Sequence, residues 1–322
     1  MIYRSTLRGC GLYAPARVMT NDEIAIMVET SDEWIYSRTG IRRRHIAASD
    51  ETAGTMAIHA ARAALASSGV PASEIGLVIV ATSTPDYAFP ASACLVQDAL
   101  GVPAGACDLE AACSGFVYAL AMACGLIGIG AIEHALVIGS EVFSRVLDWT
   151  DRRTCILFGD GAGAVVVSRS MEPGLLPQFQ LGADGAGGPL LTLPSGSPSG
   201  AGSGPPVVGM NGPETFKFGV RVLAEVAESL LQQGMLTPRN VEWLVPHQAN
   251  GRIISSAAKR AGFAEEQVMN NIEEYGNTSA ASIPLAIADW QARGLLHAGD
   301  RLLTVGFGAG LTWAGGLVGW RD

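Results

Sequence analysis

Three side chains in this 322-residue chain have the types and settings that acyl chemistry uses. Cys113 lies in DLEAACSGFVYAL, between a short run able to form a strand (105–109) and a long uncharged stretch able to form a helix. The turn at 114–115 places the thiol at a helix N-terminus, where unpaired N–H groups and the helix dipole favour an anion. That placement is expected to lower the thiol pKa, to roughly 3.5–7.5 in the stronger cases. Small neighbours on both sides are expected to leave the sulfur accessible. The same N–H groups could hold a developing oxyanion. His247 follows the apolar run 241–246, and Pro246 cannot extend a ladder, so the imidazole should stand at a strand end. Asn277, in YGNTSAASIPLAI, follows a glycine in a turn, with Thr278 and Ser279 placed to cap the next helix. Each has a plainer reading: a packed inert thiol, a satisfied core histidine, a turn residue. For Cys113 the local pattern serves either reading equally. Thiol, imidazole and amide together form a set suited to covalent acyl transfer.

The elements that would position them can be read from apolar periodicity. Runs 77–82, 135–140, 241–246 and 301–306 read as buried, parallel-type strands. Helical patterns cover 53–68, stopped by Gly69, and 220–233, with Val222, Leu223, Val226, Leu230 and Leu231 on one face and Gly234 as the stop. Alternating strands and helices predict α/β layers. Segment 111–132 carries no charge and is long enough to cross a membrane. Its glycines and small side chains, and the acidic flanks Asp108, Glu110 and Glu133, predict a buried central helix instead. SGSPSGAGSGPP (195–206) reads as a mobile surface insertion in the second half. The chain is expected to divide after the strand 162–168 into halves 1–171 and 172–322. FGDGAGA (158–164) reads as a tight turn into that strand, not as a nucleotide fingerprint.

Composition excludes other classes. Hydrophobic residues make up 48% and charged residues 16%, which suits a large core and not disorder. A net charge of −9 argues against nucleic acid or an anionic membrane as partner. Six cysteines without a CxxC pair, and no histidine at ligand spacing, predict free thiols and no metal. With no signal-peptide pattern, a reducing cytoplasm is the expected compartment.

A set of six segments, in order, carries a resemblance: TSDEWIYSRTGIRRRHIA (30–47), AFPASACLVQ (88–97), AACSGF (111–116), TCILFGDGAGAVV (154–166), VPHQAN (245–250) and YGNTSAASIP (275–284). Through nearly its whole length the chain resembles the β-ketoacyl-acyl-carrier-protein synthase III family of thiolase-like condensing enzymes. The resemblance implies an α/β thiolase-like fold, two similar halves in a five-layer αβαβα arrangement. It implies Cys113, His247 and Asn277 as the catalytic trio. An acyl-CoA, most often acetyl-CoA, would load Cys113; malonyl-acyl carrier protein would then lose CO2, and its enolate would attack the thioester. No permanently bound cofactor is implied, coenzyme A arriving as a substrate. The oxyanion would take the N–H groups of Cys113 and Ala309. Thr30, Trp34, Arg38, Arg152 and Asn250 would meet coenzyme A. Lys217, Arg252, Lys259 and Arg260 would dock the carrier protein. Phe89, Phe158 and Met210 would line the acyl pocket, with Phe89 crossing a homodimer interface.

Residue types separate this chain from its superfamily relatives. GFGAGLTW (306–313) lacks the second cysteine expected of degradative thiolases, and Asn277 stands where the longer elongating synthases carry a second histidine. Two departures from the family pattern stand out: Ala309 replaces the middle of three glycines, and Arg153 replaces a glycine. A secondary-metabolism relative using another acyl group or acceptor keeps the same trio and is the main alternative. A non-catalytic protein on the same fold is the other.

Overall fold

The computed structural model describes residues 2–171, 174–195 and 206–321. Most of the Gly/Ser/Pro segment (196–205) and two residues of the expected boundary (172–173) therefore lie outside the described residues. A first sheet runs in the order Arg4–Tyr13, Asp160–Ser170, His134–Val142, Ile75–Ala81, Gly105–Leu109. Its last three strands are parallel; the others pair antiparallel. A second sheet runs Trp243–Pro246, Arg301–Gly308, Thr312–Gly319, Gln178–Ala183, again with a parallel pair followed by antiparallel pairs. The strands of the first sheet all end by Ser170 and those of the second begin at Gln178. The two halves thus repeat one plan that the residue types had concealed.

Five layers result. Ala53–Ser68 and Ser92–Leu100 cover the outer face of the first sheet, and Gly212–Gln233 covers the second with Gly251–Arg260 packed on it. Gly115–Gly128 and Ser282–Ala292 touch both sheets and fill the middle. Sheets covered on both faces need strands that are apolar throughout, which is why Asp160–Ser170 is buried along nearly its length. Glycines let the middle layer come close. A Cβ on Gly163 would lie 2.3 Å from the backbone nitrogen of Leu285, and one on Gly139 would lie 2.2 Å from the carbonyl of Ala280.

Local boundaries moved where caps outweighed periodicity. The helix expected at 220 starts at Gly212, because Asn211 Oδ1 accepts the Glu214 N–H at 3.3 Å and Pro213 sits in the first turn. The strand expected from 241 begins at Trp243, after a 3-10 turn at Pro238–Asn240. The uncharged segment holds a helix of 14 residues, with Met122 and Ile129 exposed and most other side chains buried. No described helix is long and apolar enough to cross a membrane.

Candidate active site

Cys113 occupies a 3-10 turn, Ala112–Ser114, that joins Gly105–Leu109 to Gly115–Gly128. The turn is sharp enough to hold Ala112 at φ 47, a left-handed conformation that costs a side-chain residue about 1–3 kcal/mol. Neighbours hold it in place. Ser114 Oγ lies 2.8 Å from both Ala111 O and Thr312 Oγ1, and Thr312 Oγ1 lies 2.9 Å from Ala309 O, so the two hydroxyls, with one hydrogen each, tie these groups into a chain. The nucleophile turn and the 308–311 turn are therefore joined through Thr312. Gly308 is required there, since a Cβ would lie 2.6 Å from Cys113 N. The N–H groups of Cys113 and Ala309 find no backbone acceptor among the described residues. Ala309 keeps a negative φ, so its methyl is accommodated without strain.

The thiol differs from expectation. It sits one turn ahead of the helix, and Cys113 is only 6% exposed. Burial pushes its pKa up to about 12, with Glu141 and Glu110 adding to the rise and the Ser279 hydroxyl opposing it. Desolvation outweighs the helix end. The sulfur is reached through two cavities that meet at it, not from the open surface.

His247 ends its strand as expected, its N–H bonded to Val305 O at 2.8 Å. Its Nδ1 lies 2.7 Å from Ser282 Oγ, which also accepts the Gln248 N–H at 3.3 Å. The serine proton then has the imidazole Nδ1 as its acceptor, which leaves Nε2 protonated as a donor. Burial lowers the His247 pKa to about 3, so the ring is neutral. Asn277 is held by backbone on both sides: its N–H donates to Leu157 O at 2.9 Å, and its carbonyl accepts from Gly159 N at 3.0 Å. Its Oδ1 accepts from Ser279 N at 2.9 Å, so its amide NH2 remains free to donate. Thr278 and Ser279 do not cap Ser282–Ala292 as expected. Ser279 sits at φ 49 and sends its hydroxyl to the buried carboxyl of Glu141 at 3.0 Å.

A cleft of about 470 Å³ runs from Trp34 and Arg152 to a floor holding Cys113, His247 and Asn277. Phe158 and Met210 line it too, and Phe158 stacks on Phe143 at 4.7 Å. Near its mouth Trp34 lies under two guanidiniums, Arg152 at 5.3 Å and Arg38 at 5.7 Å. Thr30 does not line the cleft; its Oγ1 is buried without a partner among the described residues. Asn250 lines the cleft, but its amide is already engaged, capping Arg252 N at 2.9 Å and donating to Arg38 O at 3.0 Å. Arg153 is tied to Asp151 at 2.8 Å and is exposed beside the mouth.

Lys217, Arg252 and Lys259 are exposed; Arg252 lies over Phe216 of the cleft wall at 5.7 Å, and Lys217 pairs with Glu214 at 2.8 Å. Arg260 is paired as well, facing Glu225 at 3.5 Å and Glu228 at 3.9 Å. Arg221, missed in the sequence, borders the same groove as Lys217. The second cavity, about 750 Å³, lies beyond Cys113 and is walled by Thr82–Ala88 residues, Phe143, Phe158 and Ser279. Phe89 does not line it and is 86% exposed.

Also missed were Glu141, Ser279, Ser282 and Thr312. A charge inside the apolar run ALVIGSEVF was the signal for Glu141. The serines resembled ordinary caps, and nothing local marked Thr312.

A cysteine, histidine and asparagine gathered on the floor of one cleft, between the halves of a five-layer α/β fold, mark one type of thiolase-like condensing enzyme. Residues 107–185 match the family 3-oxoacyl-[acyl-carrier-protein] synthase III, and residues 231–320 match its C-terminal part. The β-ketoacyl-[acyl-carrier-protein] synthase III of Rhodospirillum centenum is 48% identical over 99% of this chain and 100% of its own. The crystal structure of 3-oxoacyl-(acyl carrier protein) synthase III from Pseudomonas aeruginosa superposes with a TM-score of 0.92 at 42% identity, over 99% of each chain. The priming β-ketosynthase of the R1128 polyketide pathway superposes at 0.93 with 37% identity, over 100% of this chain and 97% of its own. The chain belongs to the β-ketoacyl-acyl-carrier-protein synthase III family.

Proposed function

We propose that this enzyme condenses an acyl-CoA, acetyl-CoA first among them, with malonyl-acyl carrier protein to begin fatty acid synthesis. One observation carries the reading: a nucleophile and two neutral donors converge on the floor of a cleft with an aromatic and basic mouth. Cys113 attacks the thioester, and the N–H groups of Cys113 and Ala309 take the oxyanion. Coenzyme A leaves along the cleft past Trp34, Arg38 and Arg152. Malonyl-acyl carrier protein then enters by the same mouth, its carrier domain resting on Lys217, Arg252 and Lys259. As CO2 departs, negative charge builds on the thioester oxygen. His247 Nε2–H and the Asn277 amide donate to it, and the enolate attacks the acyl group on Cys113. The division at 171/172, a homodimer that brings Phe89 to the partner's acyl pocket, and a cytoplasmic setting for six free thiols belong to the same reading.

Mixing the protein with acetyl-CoA is expected to add one acetyl group to Cys113 by mass spectrometry. Cys113→Ala should lose the adduct and all condensation while still decarboxylating malonyl-acyl carrier protein. A labelled acetyl group on the Cys113→Ala protein would sink the assignment. A second reading, a priming enzyme for a larger acyl group, is favoured by the 750 Å³ cavity beyond Cys113. Competition among acyl-CoAs of rising length separates the two, a preference for acetyl deciding for the first.

A further inference from the structure

The acyl-transfer reading leaves one question of chemistry open: what takes the thiol proton. Burial holds His247 neutral, and its Nδ1 is engaged with Ser282. A different acceptor stands behind the sulfur. Glu141 is fully buried at the end of His134–Val142 and pairs with no cation among the described residues. Donors surround it: Ser83 N at 3.1 Å, Thr84 Oγ1 at 2.7 Å, Thr82 Oγ1 at 3.3 Å and Ser279 Oγ at 3.0 Å. Ser279 lines the second cavity together with Cys113, and its hydroxyl favours the ionised form of the thiol, lowering a pKa that burial raises. That hydroxyl has one hydrogen. Donating that hydrogen to the carboxylate, it can accept the one on sulfur.

We propose that Ser279 and Glu141 form a proton relay that ionises Cys113 for acyl loading and reprotonates it after condensation. The proposal rests on Cys113 being the nucleophile. In loading, the thiol proton passes to Ser279 Oγ as the serine proton passes to Glu141. The Cys113 sulfur bonds to the acyl carbon, the carbon–sulfur bond to coenzyme A breaks, and coenzyme A takes a proton from solvent. Glu141 stays protonated through the acyl-enzyme stage. When the enolate attacks, the Cys113 thiolate leaves and recovers the proton through Ser279. Across the cycle one solvent proton is consumed for each CO2 released, and all bonds balance.

Electrostatics supports the exchange. Moving the proton shifts one negative charge from Glu141 to Cys113 inside the same buried site, so no new charge is desolvated. Burial raises the Glu141 pKa to about 7, which makes it a much stronger base than His247; the thiol, pushed up to about 12, remains the weaker acid, so its proton leaves only as the sulfur bonds to the acyl carbon. The other groups facing the pair do not compete. Glu110 accepts from Ser83 Oγ at 3.2 Å and from Ala112 N at 3.0 Å. Asp86 is held by Thr52 Oγ1 at 2.8 Å, and Asp160 on the adjacent strand by Ser144 N at 2.8 Å.

The test is transfer of labelled acetyl from acetyl-CoA to the protein, measured by rapid quench across pH, beside malonyl decarboxylation in the same variants. The wild type should load faster as pH rises through about 7 and then level off. Glu141→Gln should lose that inflection and load about 10²-fold more slowly near neutrality. Ser279→Ala, which leaves the carboxyl in place, should show the same displaced profile. Glu141→Asp should keep an inflection. In each variant, loading should fall further than decarboxylation. A wild-type inflection in both Glu141→Gln and Ser279→Ala overturns the relay, as does an equal fall in loading and decarboxylation, which marks a purely structural role. An acetyl adduct on Cys113 with an unchanged profile rejects the relay alone; no adduct on the wild type rejects the acyl-transfer reading beneath it.

Discussion

Protonation state decides what the trio can do at the residue scale. A His247 pKa lowered to about 3 from its ordinary 6.5 means the ring loses no proton in the physiological range. Decarboxylation by the Cys113→Ala protein should therefore show no break between about pH 5 and 8, where an ordinary histidine titrates. A break near the ordinary value would make His247 a proton carrier. Stability carries the opposite sign on each side. The unfolded state binds the His247 proton first, so this group's contribution is full above 6.5 and is lost as pH falls toward 3. Glu141 acts in reverse, its contribution present below 4.5 and lost as pH rises through about 7. Asn277 supplies a donor that never ionises. Asn277→Asp should decarboxylate about tenfold more slowly than Asn277→Ala, because the carboxylate puts a like charge beside the forming enolate. A rate for the aspartate equal to that of the alanine would remove Asn277 from contact with the developing charge.

Turns set the geometry at the element scale. The nucleophile turn and the Asn277 turn each hold one side-chain residue in a left-handed conformation, Ala112 and Ser279. Both strained residues lie beside reactive groups; Ala112 N–H donates to Glu110 two residues before it at 3.0 Å, and Ser279 Oγ donates to Glu141 on a strand of the first sheet at 3.0 Å. Gly308 belongs to the same assembly. Gly308→Ala should push its strand off Cys113 N, spoil the pair of N–H donors, and slow loading by about 10²-fold. Overpacking should also lower stability by about 1–3 kcal/mol, read from the denaturant midpoint. Loading at the wild-type rate would show that the 308–311 turn does not form the oxyanion site.

Charge becomes informative at the scale of the whole molecule. The chain is acidic at −9, so an acidic carrier protein is not drawn to it from a distance. On the docking proposal, the contact rests chiefly on Arg252 and Lys259, which make no ion pair among the described residues, Lys217 being paired with Glu214. Arg252→Glu should raise the KM for malonyl-acyl carrier protein strongly and leave acetyl-CoA loading nearly unchanged. Arg260→Glu should do far less, because Glu225 and Glu228 already pair with that guanidinium. Added salt should weaken carrier use more than loading, exposed charges being screened beyond about 10 Å at 0.1 M. A KM indifferent to both salt and Arg252→Glu would discard this surface.

The chemistry-bearing residues were legible because their identity is local: a thiol between a strand pattern and a helix pattern, an imidazole after Pro246, an amide after Gly276. The helix 53–68 was legible to its ends, since Thr52 caps it and Gly69 stops it in the left-handed region. The motif set, taken in order, carried the family. Quantities that depend on what packs against a group were not legible. The thiol at 113 looked activated by a helix end, but the second half of the chain buries it, and desolvation raised its pKa. Arg260 looked free until the helix Gly212–Gln233 brought two glutamates to it. Glu141 lies 138 residues before Ser279, and only folding makes them neighbours. Residue type and spacing determined which groups could react; the dielectric and partners around them, set by segments far apart in the chain, decided their charge states and contacts.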